Sequence, residues 1–161
     1  MPSPAAPTAA PELQITQWFN AATPPTLAGL RGKVVVLHAF QMLCPGCVQH
    51  GLPQAKKIHE IFDHDEVAVI GLHTVFEHHA AMTPVSLAAF IHEYRLGFPI
   101  GVDTPGGAQG IPLTMQAYAM RGTPTLILID RAGRIRHQGF GQEDDMMVGA
   151  QIAMLMAERV S

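Results

Sequence analysis

The chain has two cysteines, and they stand together as Cys44-Pro45-Gly46-Cys47. Thiols at that spacing can exchange electrons with a disulfide, or they can hold a soft metal ion if further ligands join them. The residues before them, Val34 to Phe40, are apolar and rich in β-branched side chains, and a helix-like segment from Val48 to Phe62 follows. Strand, tight turn and helix are therefore the expected frame. A thiol at a helix N-terminus meets backbone N–H groups that lack intrahelical partners, together with the positive end of the helix dipole, and both favour thiolate over thiol. Cys44 is expected to attack first. Cys47, one turn further in, is expected to attack the resulting mixed disulfide and free the reduced product.

The bulk of the chain fits a redox protein and argues against several alternatives. With 161 residues and a hydrophobic fraction of 48%, it suits one domain with a sizeable core. Ten Lys and Arg against thirteen Asp and Glu give a net charge of −3, which offers no electrostatic footprint for nucleic acid. No apolar run approaches the roughly 18 residues of a membrane span. The first residues, Met-Pro-Ser-Pro-Ala-Ala-Pro, have neither the basic nor the apolar region of a secretory signal, so a cytoplasmic location is expected.

Stepping outward from the cysteines, residues 1–12 read as a disordered Pro/Ala tail and 13–161 as the folded domain. Leu13 to Trp18 suits a short edge element, and Val67 to Val75 a second buried strand. Pro53 should kink the helix that follows Cys47. Thr83 and Pro84 are a helix start, with Leu87, Phe90, Ile91 and Tyr94 as its apolar stripe. Phe98 to Val102 reads as a strand, 104–110 as a glycine-rich loop and Ile111 to Met120 as another helix. Thr125 to Asp130 and Arg134 to Phe140 form a hairpin, and a last helix runs from about Glu143 to Val160. This order implies an α/β sandwich whose sheet is parallel in one half and antiparallel in the other.

Leu30-Arg31-Gly32-Lys33 leading into the first strand, the Cys44-Pro45-Gly46-Cys47 turn, and Arg121-Gly122-Thr123-Pro124 before a buried strand together resemble the thioredoxin-like redoxins. The nearest branch is the one that holds TlpA-type reductases and the AhpC/TSA proteins. The resemblance implies a three-layer sandwich with a central mixed sheet flanked by helices. It also implies that Pro124 is a cis-proline facing Cys44 and that the Thr123 backbone pairs with a substrate strand. Pro45, Gly46 and Met42 would line the substrate groove.

Two positions depart from the family pattern. Leu43 stands where an aromatic usually precedes the first cysteine. His38 stands where many members bury a carboxylate as proton acceptor. Strand alternation puts Val34, Val36 and His38 on one face, from which the imidazole, ordinarily near a pKa of about 6.5, is expected to take a proton from Cys47. The alternative function is an AhpC/TSA-type thiol peroxidase with antioxidant activity. Its Pro-x-x-x-Thr/Ser-x-x-Cys pattern is missing in both registers: Leu37 and Gln41 precede Cys44, and Phe40 and Cys44 precede Cys47. Its arginine is replaced by Pro124, with Arg121 three residues earlier.

A third reading, Cu(I) or zinc held by the cysteines with one of His50, His73, His78 or His79, is weighed against ordinary solvated or core histidines, and the latter is preferred. The expected function is thus a thiol–disulfide oxidoreductase with no cofactor beyond a redox-active Cys44–Cys47 disulfide. Its partners would be a disulfide-containing protein or small molecule and an upstream thiol reductant, with no nucleic acid and no membrane.

Overall fold

Seven consecutive residues, Val34–Phe40, are buried as strand β2, without the alternation of a sheet face open to water. The reason is its central place in a six-stranded sheet of order β1-β4-β3-β2-β5-β6. The computed structural model describes residues 6–107 and 110–160; the tail reading for residues 1–5 and the middle of the 104–110 loop lie outside them.

β1 (Ile15–Phe19) runs antiparallel on the outer edge of β4 (Ile100–Asp103). β4, β3 (Val67–His73) and β2 are parallel, and β5 (Thr125–Ile129) and β6 (Ile135–Phe140) add the antiparallel half. One face of β2, carrying Val34, Val36 and Phe40, packs under helices α1 (Leu52–Ile61), α2 (Pro84–Tyr94) and α4 (Asp145–Ala157). The other face, with Val35, Leu37 and Ala39, packs on Met115 of α3 (Leu113–Ala117), on Tyr118 and on Leu27. The chain therefore has the three-layer, thioredoxin-like mixed-sheet sandwich expected of it.

Some details differ from the sequence reading. Residues 8–12, expected to belong to a free tail, are strapped to the β5–β6 hairpin. Ala9 bridges Arg134, Ala10 N–H donates to Gly133 O at 2.9 Å, and Ile135 N–H donates to Thr8 O at 2.8 Å. The Glu12 carboxylate accepts from Leu27 N–H at 2.7 Å, and the Tyr118 hydroxyl donates to Pro11 O at 2.6 Å. An edge pairing of this kind leaves no apolar signature in its own sequence.

α3 is shorter than the expected 111–120 helix. Its first N–H groups, those of Thr114 and Met115, donate to the buried Asp103 carboxylate at 2.8 and 3.0 Å. It ends where Ala119 takes φ +50. The Asp130 turn, read as a plain turn, buries a carboxylate that accepts from Ala132 and Arg134 N–H and pairs with Arg134 and Arg136.

Candidate active site

β2 ends at Phe40, and the chain turns through Gln41, Met42 and Leu43, with Cys44 N–H donating to Gln41 O at 3.2 Å. Helix begins directly after Cys44, but its first turn is wide. Cys47–Gly51 is a π-helical turn in which Leu52 N–H reaches Cys47 O. The extra residue falls just before Pro53, whose ring can make no N–H bond, so the wide turn replaces the kink expected at that proline.

Gly51 is the residue on which this turn rests. A Cβ there would lie 2.3 Å from His38 Nε2 and 3.1 Å from Pro124 Cβ, so only glycine lets the helix sit on the His38 ring. Gly46 lies close to the same proline, its missing Cβ 3.4 Å from Pro124 Cδ. The Thr123–Pro124 peptide is cis. The turn and the Thr123–Pro124 loop are therefore in direct contact.

The two thiols differ in setting. Cys44 is half-buried, while Cys47 is fully buried. Both are free: Cys44 Sγ lies 3.5 Å from Thr123 O as a donor and accepts Cys47 N–H at 3.3 Å. Burial and the hydrogen bond with Cys44 push the Cys47 thiol up to about 12, offset in part by the Gln41 backbone and the Thr123 hydroxyl. A thiol so raised is unreactive at neutral pH. We expect iodoacetamide at pH 7 to label Cys44 and spare Cys47, as read by peptide mapping; predominant labelling of Cys47 would reverse the two roles.

His38 is buried beneath the turn, as the alternation of β2 predicts, but without the expected partner. Its Nδ1 has no hydrogen-bond partner, and its Nε2 faces Gly51 rather than either sulfur. Burial lowers its pKa to about 4. A ring held neutral in this way is a much weaker base than the exposed imidazole assumed from sequence. The direct proton hand-off from Cys47 is therefore not what the geometry presents.

Met42, expected to line the groove, is only 8% exposed and joins the core, whereas Leu43 beside it is 58% exposed. The turn forces this choice, because Met42 N–H is tied inward to His73 Nε2 at 3.3 Å. Pro45 remains at the surface beside Cys44. On the other side of the cysteines the Phe140 ring lies over Gly122, with the Arg121 guanidinium 5.8 Å from its centroid.

Gln41 was weighed from sequence only as a missing peroxidase hydroxyl. It is a buried clamp, 1% exposed. Its Nε2 donates to Thr123 Oγ1 at 3.3 Å and its Oε1 accepts Phe76 N–H at 3.1 Å. A polar residue ending an apolar strand was the available signal. Of the histidines considered as ligands, His73 is buried against Phe40, while His50, His78 and His79 are exposed. Among the described residues no three His, Cys, Asp or Glu side chains gather as a metal site.

The sequence profile of the AhpC/TSA family matches residues 7–138. The chain belongs to the AhpC/TSA family. Within solved structures it is similar to a thioredoxin-like superfamily protein at 61% identity, covering 96% of this chain and 99% of that one with a TM-score of 0.93. It is also similar to a thiol-disulfide isomerase from Corynebacterium glutamicum at 51% identity, covering 93% and 98% with a TM-score of 0.89.

Two curated relatives are more distant. DipZ of Mycobacterium tuberculosis is 32% identical over 84% of this chain. The thiol-disulfide oxidoreductase ResA of Halalkalibacterium halodurans is 27% identical over 82% of this chain and 68% of its own length. The chain spans about a fifth of DipZ, 19% of its length. This AhpC/TSA member is thus a thioredoxin-like redoxin among thiol–disulfide oxidoreductase relatives.

Proposed function

We propose that the protein reduces or exchanges disulfides through the Cys44–Cys47 pair. The observation that carries this reading is the asymmetry of the two sulfurs. One is accessible at a helix start against the Thr123–Pro124 loop; the other is buried one turn away and donates its backbone N–H to the first. Cys44 thiolate attacks a substrate disulfide, forming a Cys44–substrate bond and expelling one substrate thiol. Cys47 thiolate then attacks Cys44 Sγ, the mixed disulfide breaks, and the second substrate thiol leaves. Two electrons have passed from the dithiol to the substrate, and the protein holds a Cys44–Cys47 disulfide.

An upstream thiol reductant then restores the dithiol, so no organic cofactor enters the cycle. Pro124 shapes the groove, and the Thr123 backbone holds a substrate strand beside Cys44. Leu43, Pro45 and Gly46 form the near wall, where Leu43 takes the part first given to Met42. His38 enters as a neutral polar group behind Gly51. Cytoplasmic placement is part of this proposal and rests on the N-terminal composition.

Against the peroxidase alternative, no side chain is poised to polarise a peroxide. The Gln41 amide is committed to Thr123 and Phe76, and the Arg121 guanidinium is stacked over Phe140. With dithiothreitol as donor, the protein should reduce insulin while consuming hydrogen peroxide no faster than a free thiol of matching pKa. Rapid peroxide turnover that vanishes in Cys44→Ser would reverse the ranking.

A further inference from the structure

We propose that Gln41 is a positioning residue for the resolving step, turning the hydrogen of the Thr123 hydroxyl onto the sulfur of Cys47. This rests on the dithiol cycle above and adds a part to it. The Gln41 side chain has no rotational choice: Phe76 N–H occupies Oε1 at 3.1 Å, which fixes the amide and sends Nε2 to Thr123 Oγ1 at 3.3 Å. Once Thr123 Oγ1 accepts that bond, its own hydrogen must point elsewhere. The acceptor it meets is Cys47, whose sulfur it stabilises as thiolate.

The main-chain carbonyl of the same Thr123 faces Cys44 Sγ at 3.5 Å. One residue thus presents an acceptor to the attacking sulfur and a donor to the resolving one. In the resolving step Cys47 thiolate attacks Cys44 Sγ, the bond to the substrate sulfur breaks, and the departing thiolate takes its proton from water. The Thr123 hydroxyl donates throughout and transfers nothing. Besides Cys44, the titratable groups around Cys47 are His38 from β2, His73 from β3 and the exposed His50 on its own turn. Burial lowers the pKa of His38 and His73 to about 4, so both stay neutral over the range tested.

Stopped-flow reaction of the full-length reduced protein with 5,5′-dithiobis(2-nitrobenzoate) separates the two steps. The first nitrothiobenzoate released reports attack by Cys44, and the second reports resolution by Cys47. Gln41→Met and Thr123→Val should each slow the second release about tenfold at pH 7, the weight of one charge-assisted hydrogen bond, and move its pH profile to higher pH. The first release should keep its rate. Because the two residues act in series, the double variant should be no slower than either single one, and Thr123→Ser should restore the profile.

An unshifted profile in Gln41→Met, or additive effects in the double variant, would overturn the proposal. If Gln41→Met does not fold, an unshifted profile in Thr123→Val does so equally. A wild-type protein that releases a single nitrothiobenzoate and stops would instead defeat the dithiol cycle itself.

Discussion

Cys47→Ser should convert the protein from a catalyst into a trap. Cys44 keeps its accessible sulfur and its helix start, so attack on a substrate disulfide proceeds, but the Cys44–substrate bond then has no internal nucleophile to break it. Turnover in an insulin assay should fall by roughly a thousandfold or more, because residues that act as one unit lose nearly the whole rate enhancement when one is removed. A protein-sized adduct, released by reductant, should accumulate on non-reducing gels. Cys44→Ser should lose turnover equally and form no adduct. If instead Cys44→Ser trapped substrate and Cys47→Ser did not, attacker and resolver would have to be exchanged.

The second large effect concerns acid. His38 and His73 are both buried, and burial lowers each pKa from 6.5 to about 4. Above about pH 6.5 the rings are neutral in folded and unfolded chains alike, and stability is at its full value. Between there and pH 4 the unfolded chain takes up two protons that the native state refuses, so stability falls as pH falls.

Each ring contributes roughly 1.4 kcal/mol per pH unit within that window, or about 3 kcal/mol when it is crossed, a large part of an ordinary domain's stability of about 5–15 kcal/mol. Asp103, whose carboxyl burial raises, opposes the trend, and Asp130, held below its usual range among its arginines, adds to it at the acid end. The urea midpoint should drop steeply from pH 7 to 4.5. His73→Asn keeps an acceptor for Met42 N–H and should remove about half of that slope. A midpoint that stays level across the range would mean that neither ring resists protonation.

The redox pair, its strand–turn–helix frame and the downstream Thr123–Pro124 loop were legible because each is written in adjacent residues. The parallel and antiparallel halves of the sheet followed from the order of the elements. Side-chain relations between distant segments were not legible. Gln41 meets Thr123 across 82 residues, and a glutamine ending an apolar strand does not announce its partner. The inward turn of Met42 depends on a bond to His73 from the neighbouring strand. The alternation of β2 placed His38 on the correct face. What the ring meets there is set by how closely α1 descends, and that is decided by the absent side chain at Gly51.

That last contact makes positions 38 and 51 a matched pair of shapes. The helix can approach β2 this closely because one partner is a bare backbone, and the imidazole fills the space that a side chain at 51 would need. Neither residue is free to vary alone: a larger residue at 51 lifts the Cys47 turn away from Pro124, while a smaller one at 38 opens a void beneath it. Exchanges that shrink one and enlarge the other can preserve the spacing. In engineering or in natural drift, the two sites should therefore change together, although thirteen residues of chain, including both cysteines, separate them.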